Sequence, residues 1–135
     1  MLSRYGWPGV LLEITEEHLR PFGIRPVTAL GWEVDSHPAT HPDLTELSGE
    51  EPEHQVAASR RHLRRKFGVP SDNFCHPSVE YDGATIASVK EAGYIGAVTE
   101  NRGYVARGEP YELDRHGIEG GDGVEGPAAD LASGR

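Results

Sequence analysis

Two histidines stand four residues apart in the stretch SHPATHPDL: His37 and His41, with Pro38 directly after the first. Histidines at i and i+4 face the same way on a helix, and neutral imidazoles bind zinc well, so the pair supplies half of a tetrahedral donor set, whereas a plain loop needs them only as polar residues. The protease arrangement H-E-x-x-H requires a glutamate where Pro38 stands, which excludes that class. His76, in DNFCHP, is a third imidazole at the end of a short apolar run. His54 and His62 lie in an arginine-rich segment, and His18 in a charged one, where solvent exposure is the simpler reading. Cys75 is alone, so neither an internal disulfide nor a thiolate zinc cage can form, and any metal must rest on nitrogen and oxygen.

The elements that must carry these residues alternate. VLLEI, residues 10–14, follows Pro8 and Gly9 and reads as a buried strand. Thr15 suits the cap of a short helix through His18 and Leu19, and Pro26 the first turn of a second helix toward Leu30 and Gly31. WEVDSH then alternates, with Trp32, Val34 and Ser36 on one face and Glu33, Asp35 and His37 on the other, so the strand delivers His37 at its end. Ser48 and Glu51 form an S-x-x-E capping box. Val56, Leu63 and Phe67 recur at helical spacing until Gly68 and Pro70, and Arg60, Arg61, Arg64 and Arg65 read as the exposed face. DNFCHP is a strand with His76 at its tip. Asp82 caps a helix that turns Ile86 and Val89 inward and ends at Gly93, and the strand YIGAVT follows. A further strand fits residues 112–118, and the Gly-rich stretch 119–135 predicts a disordered tail. Strands alternating with helices imply parallel pairing and an α/β class, doubly wound or part of a barrel, with His37, His41 and His76 at strand tips where such folds place their chemistry.

Composition narrows the partners. At 135 residues one domain is expected, and 22 acidic against 13 basic residues give a net charge of -9, which disfavours a nucleic-acid backbone. No run approaches the roughly 18 apolar residues of a membrane span, and the start lacks the apolar core of a secretory signal, so the chain as written reads as cytoplasmic.

Most of residues 4–118 resembles the polysaccharide deacetylase (NodB-homology, carbohydrate esterase) family. GWEVDSHPATHPDLTELS is similar to that family's GxEIGSHTxTHPxLxxLS, FCHPSVEYDGATIASVKEAGYIGAVTENRG to its FAYPYGxYxxxxxxxxKxAGYxxAxTxxxG, and PYELDRHGI to its PxxLPRxxI. RYGWPGVLLEI resembles the strand after the family's first motif, TFDDG, whose two aspartates have no counterpart here. In place of the third motif's aromatic and glycine stand Ser78 and Val79, and Cys75 stands where many members have arginine. If Val79 occupied a position needing positive φ, its β-branch would be strained.

The resemblance implies a partial or distorted (β/α) barrel over residues 1–118 and metal-dependent hydrolysis of acetyl groups on carbohydrate. It assigns His37 and His41 to a divalent metal, zinc first. Asp35 stands where the family has glycine and shares a strand face with His37, so it is a candidate substitute, as an oxygen ligand or by orienting an imidazole, against its plain reading as an acidic loop residue. Arg115 and His116 fall in the catalytic closing motif, and His76, Pro77 and Ser78 in the substrate-binding third motif. In the family the metal polarises a substrate carbonyl and acidifies a bound water, while an aspartate of TFDDG acts as base. Two further readings follow from the lost aspartates: a remnant that binds carbohydrate or metal without turnover, and a fragment whose first strand comes from an upstream segment or a partner chain.

Overall fold

The computed structural model describes residues 9–16, 21–105 and 108–115. Four strands form one parallel sheet in the order β1-β2-β3-β4: β1 Val10–Glu13, β2 Glu33–Ser36, β3 Asn73–Cys75 and β4 Gly96–Val98. Each parallel step needs a crossover, and helices supply all three. These are α1 Pro21–Ala29, the pair α2 Glu51–Glu53 and α3 Ser59–Phe67 joined by a π-helical turn His54–Ala58, and α4 Gly83–Glu91. A parallel bridge from Val98 to Leu113 begins a fifth position beyond β4. Among the described residues no helix is long and apolar enough to cross a membrane.

Side chains alternate across the strands, and the two faces of the sheet have different chemistry. Val34 joins Ile24, Leu63 and Val69 in one apolar cluster, and Phe74 and Ala97 join Leu44, Val56, Val89 and Tyr94 in another, so both clusters lie under the helices. Ser36 shares that face and meets Ser59 of α3 Oγ to Oγ at 2.5 Å. The opposite face carries Glu33, Asp35 and Asn73, followed at the strand ends by His37 and Cys75.

Several sequence expectations need correction. Helix α1 begins at Pro21, and Pro26 sits inside it; Pro21 takes the N-terminal turn that the missing N–H of proline tolerates. The S-x-x-E box is half made: the Ser48 N–H reaches Glu51 Oε2 at 3.4 Å, but Glu50 is the N-cap and gives no side-chain bond. Arg60 is not on the exposed face. Its guanidinium donates to Ser71 O, Ala92 O and Asp72 Oδ1 and lies 5.1 Å from the centre of the Tyr94 ring. The helix of the early region falls partly on residues 17–20, outside the described residues, as does the 119–135 tail.

Other expectations stand. Asp82 caps α4 by accepting from Thr85 N at 2.8 Å, Val89 is fully buried, and Gly68 closes α3 in the left-handed region at φ 68. Gly9 leads into β1 because a Cβ there would stand 2.7 Å from the Trp32 ring.

Candidate functional site

The carboxyl ends of β2, β3 and β4 bring the site together. Strand β2 ends at Ser36, and His37 follows, its N–H bonded to Glu13 O of β1 at 3.1 Å. Its ring Nδ1–H donates to the Cys75 carbonyl at the end of β3, at 2.7 Å. That bond fixes the tautomer and leaves Nε2 with its lone pair free of this contact, as a metal-binding imidazole held from behind requires. His37 is 9% exposed, and burial pushes its pKa down to about 4, so the ring is neutral at ordinary pH.

His41 reaches the same place by a different route from a helix. Pro38 keeps the segment out of the α-helix, and His41 adopts φ 61, the left-handed region, which folds its ring back toward His37. The ring centres lie 4.8 Å apart at 72°. His41 is exposed, so the pair presents one buried imidazole and one open to solvent.

Beyond β4, Glu100 and Arg115 form an ion pair at 2.9 Å, and the Arg115 N–H bonds Asn101 O. Both charges act on His37, the guanidinium against its protonated form and the carboxylate for it. Arg115 therefore belongs to the site neighbourhood, whereas His116 lies outside the described residues.

The remaining sequence candidates are placed as follows. Asp35 shares the His37 face but one register step back, beside Asn73: its Oδ1 accepts from Asn73 N at 3.0 Å and its Oδ2 from Asn73 Nδ2 at 3.1 Å. His76 is fully buried, stacked on Tyr81 with ring centres 4.8 Å apart, and its Nε2–H donates to Tyr111 O while Nδ1 has no partner among the described residues. Pro77 is also buried. The left-handed residue of this turn is Ser78, at φ 56; Val79 has no positive φ and is exposed, so the strain expected at Val79 is absent. Burial pushes the Cys75 thiol up to about 11, which keeps it protonated.

Sequence reasoning passed over Gln55, Ser59 and Glu100. Gln55 and Ser59 interrupt the apolar stripe of Val56 and Leu63 with polar side chains, and both are buried. A polar residue inside a helix's apolar stripe was the available signal.

Two imidazoles of this kind fit half of a divalent-metal site in donor chemistry. Among the described residues no group of three or more His, Cys, Asp or Glu side chains is placed to hold an ion.

Comparison with known proteins gives the setting. The chain matches the family model "Polysaccharide deacetylase" over residues 1–97. It superposes on the Streptococcus pyogenes deacetylase PplD, solved in complex with acetate, with TM-score 0.81, 21% identity, and coverage of 95% of this chain and 60% of that one. A polysaccharide deacetylase from Bacillus cereus gives 0.80 and 24%, with coverage of 92% and 42%, and a de-N-acetylase from Aggregatibacter actinomycetemcomitans gives 0.72 and 14%, with coverage of 95% and 66%. The chain thus spans about half the length of the first two. No curated protein matches it. The four-stranded parallel sheet is therefore a partial barrel of the deacetylase type, and the chain belongs to the polysaccharide deacetylase family.

Proposed function

We propose that this chain carries the two-histidine half of a metal-dependent deacetylase site that removes acetyl groups from carbohydrate, within a domain extending to residue 118. The observation that carries the reading is the pairing of His37 and His41, one ring tied through Nδ1 to Cys75 O and the other folded back 4.8 Å from it. His37 and His41 would hold a divalent ion, zinc first. When bound, such an ion polarises an acetyl carbonyl and acidifies a water. Around it the chain supplies orientation: Cys75 O fixes His37 and Glu100 restrains Arg115, while the main-chain N–H of the left-handed Ser78 would serve developing negative charge, as the family resemblance implies.

Calorimetric titration with zinc tests the metal half. The parent is expected to bind, weakly because two nitrogens leave the remaining positions to water, and the His37→Ala, His41→Ala double variant to lose that binding. Undiminished affinity in the double variant would overturn the reading.

A second reading, a remnant that binds metal or carbohydrate without turnover, is favoured by the missing third ligand among the described residues. The two readings join if a segment or partner chain lies along β1. Among the described residues that strand is the sheet edge, paired with β2 alone, and Val10 on it is 53% exposed.

A further inference from the structure

We propose that Gln55 is the positioning residue of this site, gripping Thr40 through its side chain and Ala39 through its carbonyl so that the His37 and His41 rings stand edge to face. This deepens the metal reading and rests on it for its consequence at the ion, though not for the geometry of the grip.

Three bonds run from one residue to the middle of the His37 to His41 loop. Gln55 Oε1 accepts from Thr40 N at 3.0 Å, Gln55 Nε2 donates to Thr40 Oγ1 at 3.0 Å, and the Gln55 carbonyl accepts from Ala39 N at 3.2 Å. That carbonyl lies in the π-helical turn His54–Ala58. Where an α-helix widens to i→i+5 bonding, carbonyls lose their regular partners and turn toward other donors. The next one, Val56 O, likewise accepts from Tyr94 Oη and Ser59 Oγ, both at 3.0 Å. Ser59 in turn holds Ser36 at the start of the loop. The π turn and the first residue of α3 thus face the segment from Ser36 to Thr40. A π turn is rarer and less stable than continued α-helix, and its occurrence here matches the tendency of such turns to appear beside functional sites.

The physical need is plain. His41 follows Thr40 directly and sits in a backbone region unfavourable to a non-glycine residue, so the loop reverts unless something over-determines it. The pair of hydrogen bonds on Thr40 opposes that reversion directly. His37 has its own anchor at Cys75 O; His41, exposed, depends on the backbone before it.

The test compares Gln55→Ala, Gln55→Glu and Thr40→Val with the parent, using zinc titration and, in the metal-free chain, amide hydrogen exchange by NMR. Gln55→Ala is expected to weaken zinc about tenfold or more, in line with other residues that orient metal ligands. It should speed exchange at Thr40 N while Ala39 N, held by the main-chain carbonyl, keeps its protection. Thr40→Val removes only the Oγ1 contact and should give a smaller zinc loss. Gln55→Glu accepts from both Thr40 N and Thr40 Oγ1–H and should restore both readouts. Parent-like zinc affinity in Gln55→Ala overturns the proposal, as does joint loss of Ala39 and Thr40 protection with a lowered Tm, which marks general loosening. If the parent takes up no zinc, the metal reading fails. The split between the two amides, with the order of the His41 ring from 15N relaxation, then decides the role of Gln55 alone.

Discussion

His37 donates from Nδ1 to the main-chain carbonyl of Cys75, two strands' ends joined by one 2.7 Å bond. The contact explains why a buried imidazole is tolerable at this place: its one N–H is satisfied without a charged partner. It also sets a pH signature. With its pKa pushed down to about 4 by burial, against an unfolded value near 6.5, His37 binds a proton more readily in the unfolded chain. The metal-free chain should therefore hold the His37 contribution in full above pH 6.5 and lose it progressively down to about pH 4. An NMR titration should place the His37 midpoint near the lower value, with Nδ1 as the protonated nitrogen. Acid unfolding of His37→Gln should show a flatter slope through that window; an unchanged slope would sever the link.

Much of this architecture is legible in the sequence, and the failures are instructive. The alternation through Asp35 and the cap at Asp82 each identify an element because local chemistry and tertiary use agree there, and the branched run at Val10 identifies β1, although Val10 is 53% exposed where a buried strand is expected. The spacing of His37 and His41 identifies the pair but suggests a helical route to convergence. The structure uses a left-handed residue instead, which no periodicity reveals. Arg60 reads as surface because arginine usually is, yet the loops around Ser71 and Ala92 converge on it from far along the chain. The π turn depends on carbonyl partners at Ala39 and Tyr94, contacts that exist only once the fold is made.

Asp35 supplies a second prediction. Both of its oxygens accept from Asn73, and it is buried to 2% exposure, so its main task is to join β2 to β3. Replacement by alanine leaves the Asn73 main-chain N–H without its acceptor, while Nδ2 keeps Glu33 Oε1, at a cost of about 1–3 kcal/mol. Zinc affinity of Asp35→Asn, with Glu33→Gln as charge control, is expected to equal that of the parent. A selective loss in Asp35→Asn would instead place the carboxylate at the ion.

Arg60 should separate from its neighbours on the same helix. Its guanidinium satisfies two carbonyls and a carboxylate while packing on Tyr94, and its side chain is only 13% exposed. Arg60→Ala orphans those acceptors and is expected to cost about 2–4 kcal/mol, while Arg64→Ala, exposed at the end of α3, should stay within about 0.5 kcal/mol. Urea unfolding with equal slopes for the three proteins measures the difference; similar midpoints for the two variants would refute the assigned role.

Turnover is the last expectation, and it distinguishes the two functional readings. Among the described residues no carboxylate joins His37 and His41 in a three-residue cluster, and general-base assistance is worth roughly 10²–10⁴-fold in rate. Acetate release from acetylated chitooligosaccharides by this chain with added zinc should therefore be at or near background. A segment bearing TFDD, supplied upstream of β1 and able to pair with the edge that β1 forms among the described residues, should raise the rate, and His37→Ala should abolish the gain. If the unsupplemented chain already turns over in a His37-dependent manner, the remnant reading is lost and a base must be sought among this chain's own carboxylates, with Glu100 beside Arg115 the first to replace by glutamine. If the added segment binds without raising the rate, the edge pairs but the site is not completed by it, and the deacetylase reading gives way to the remnant.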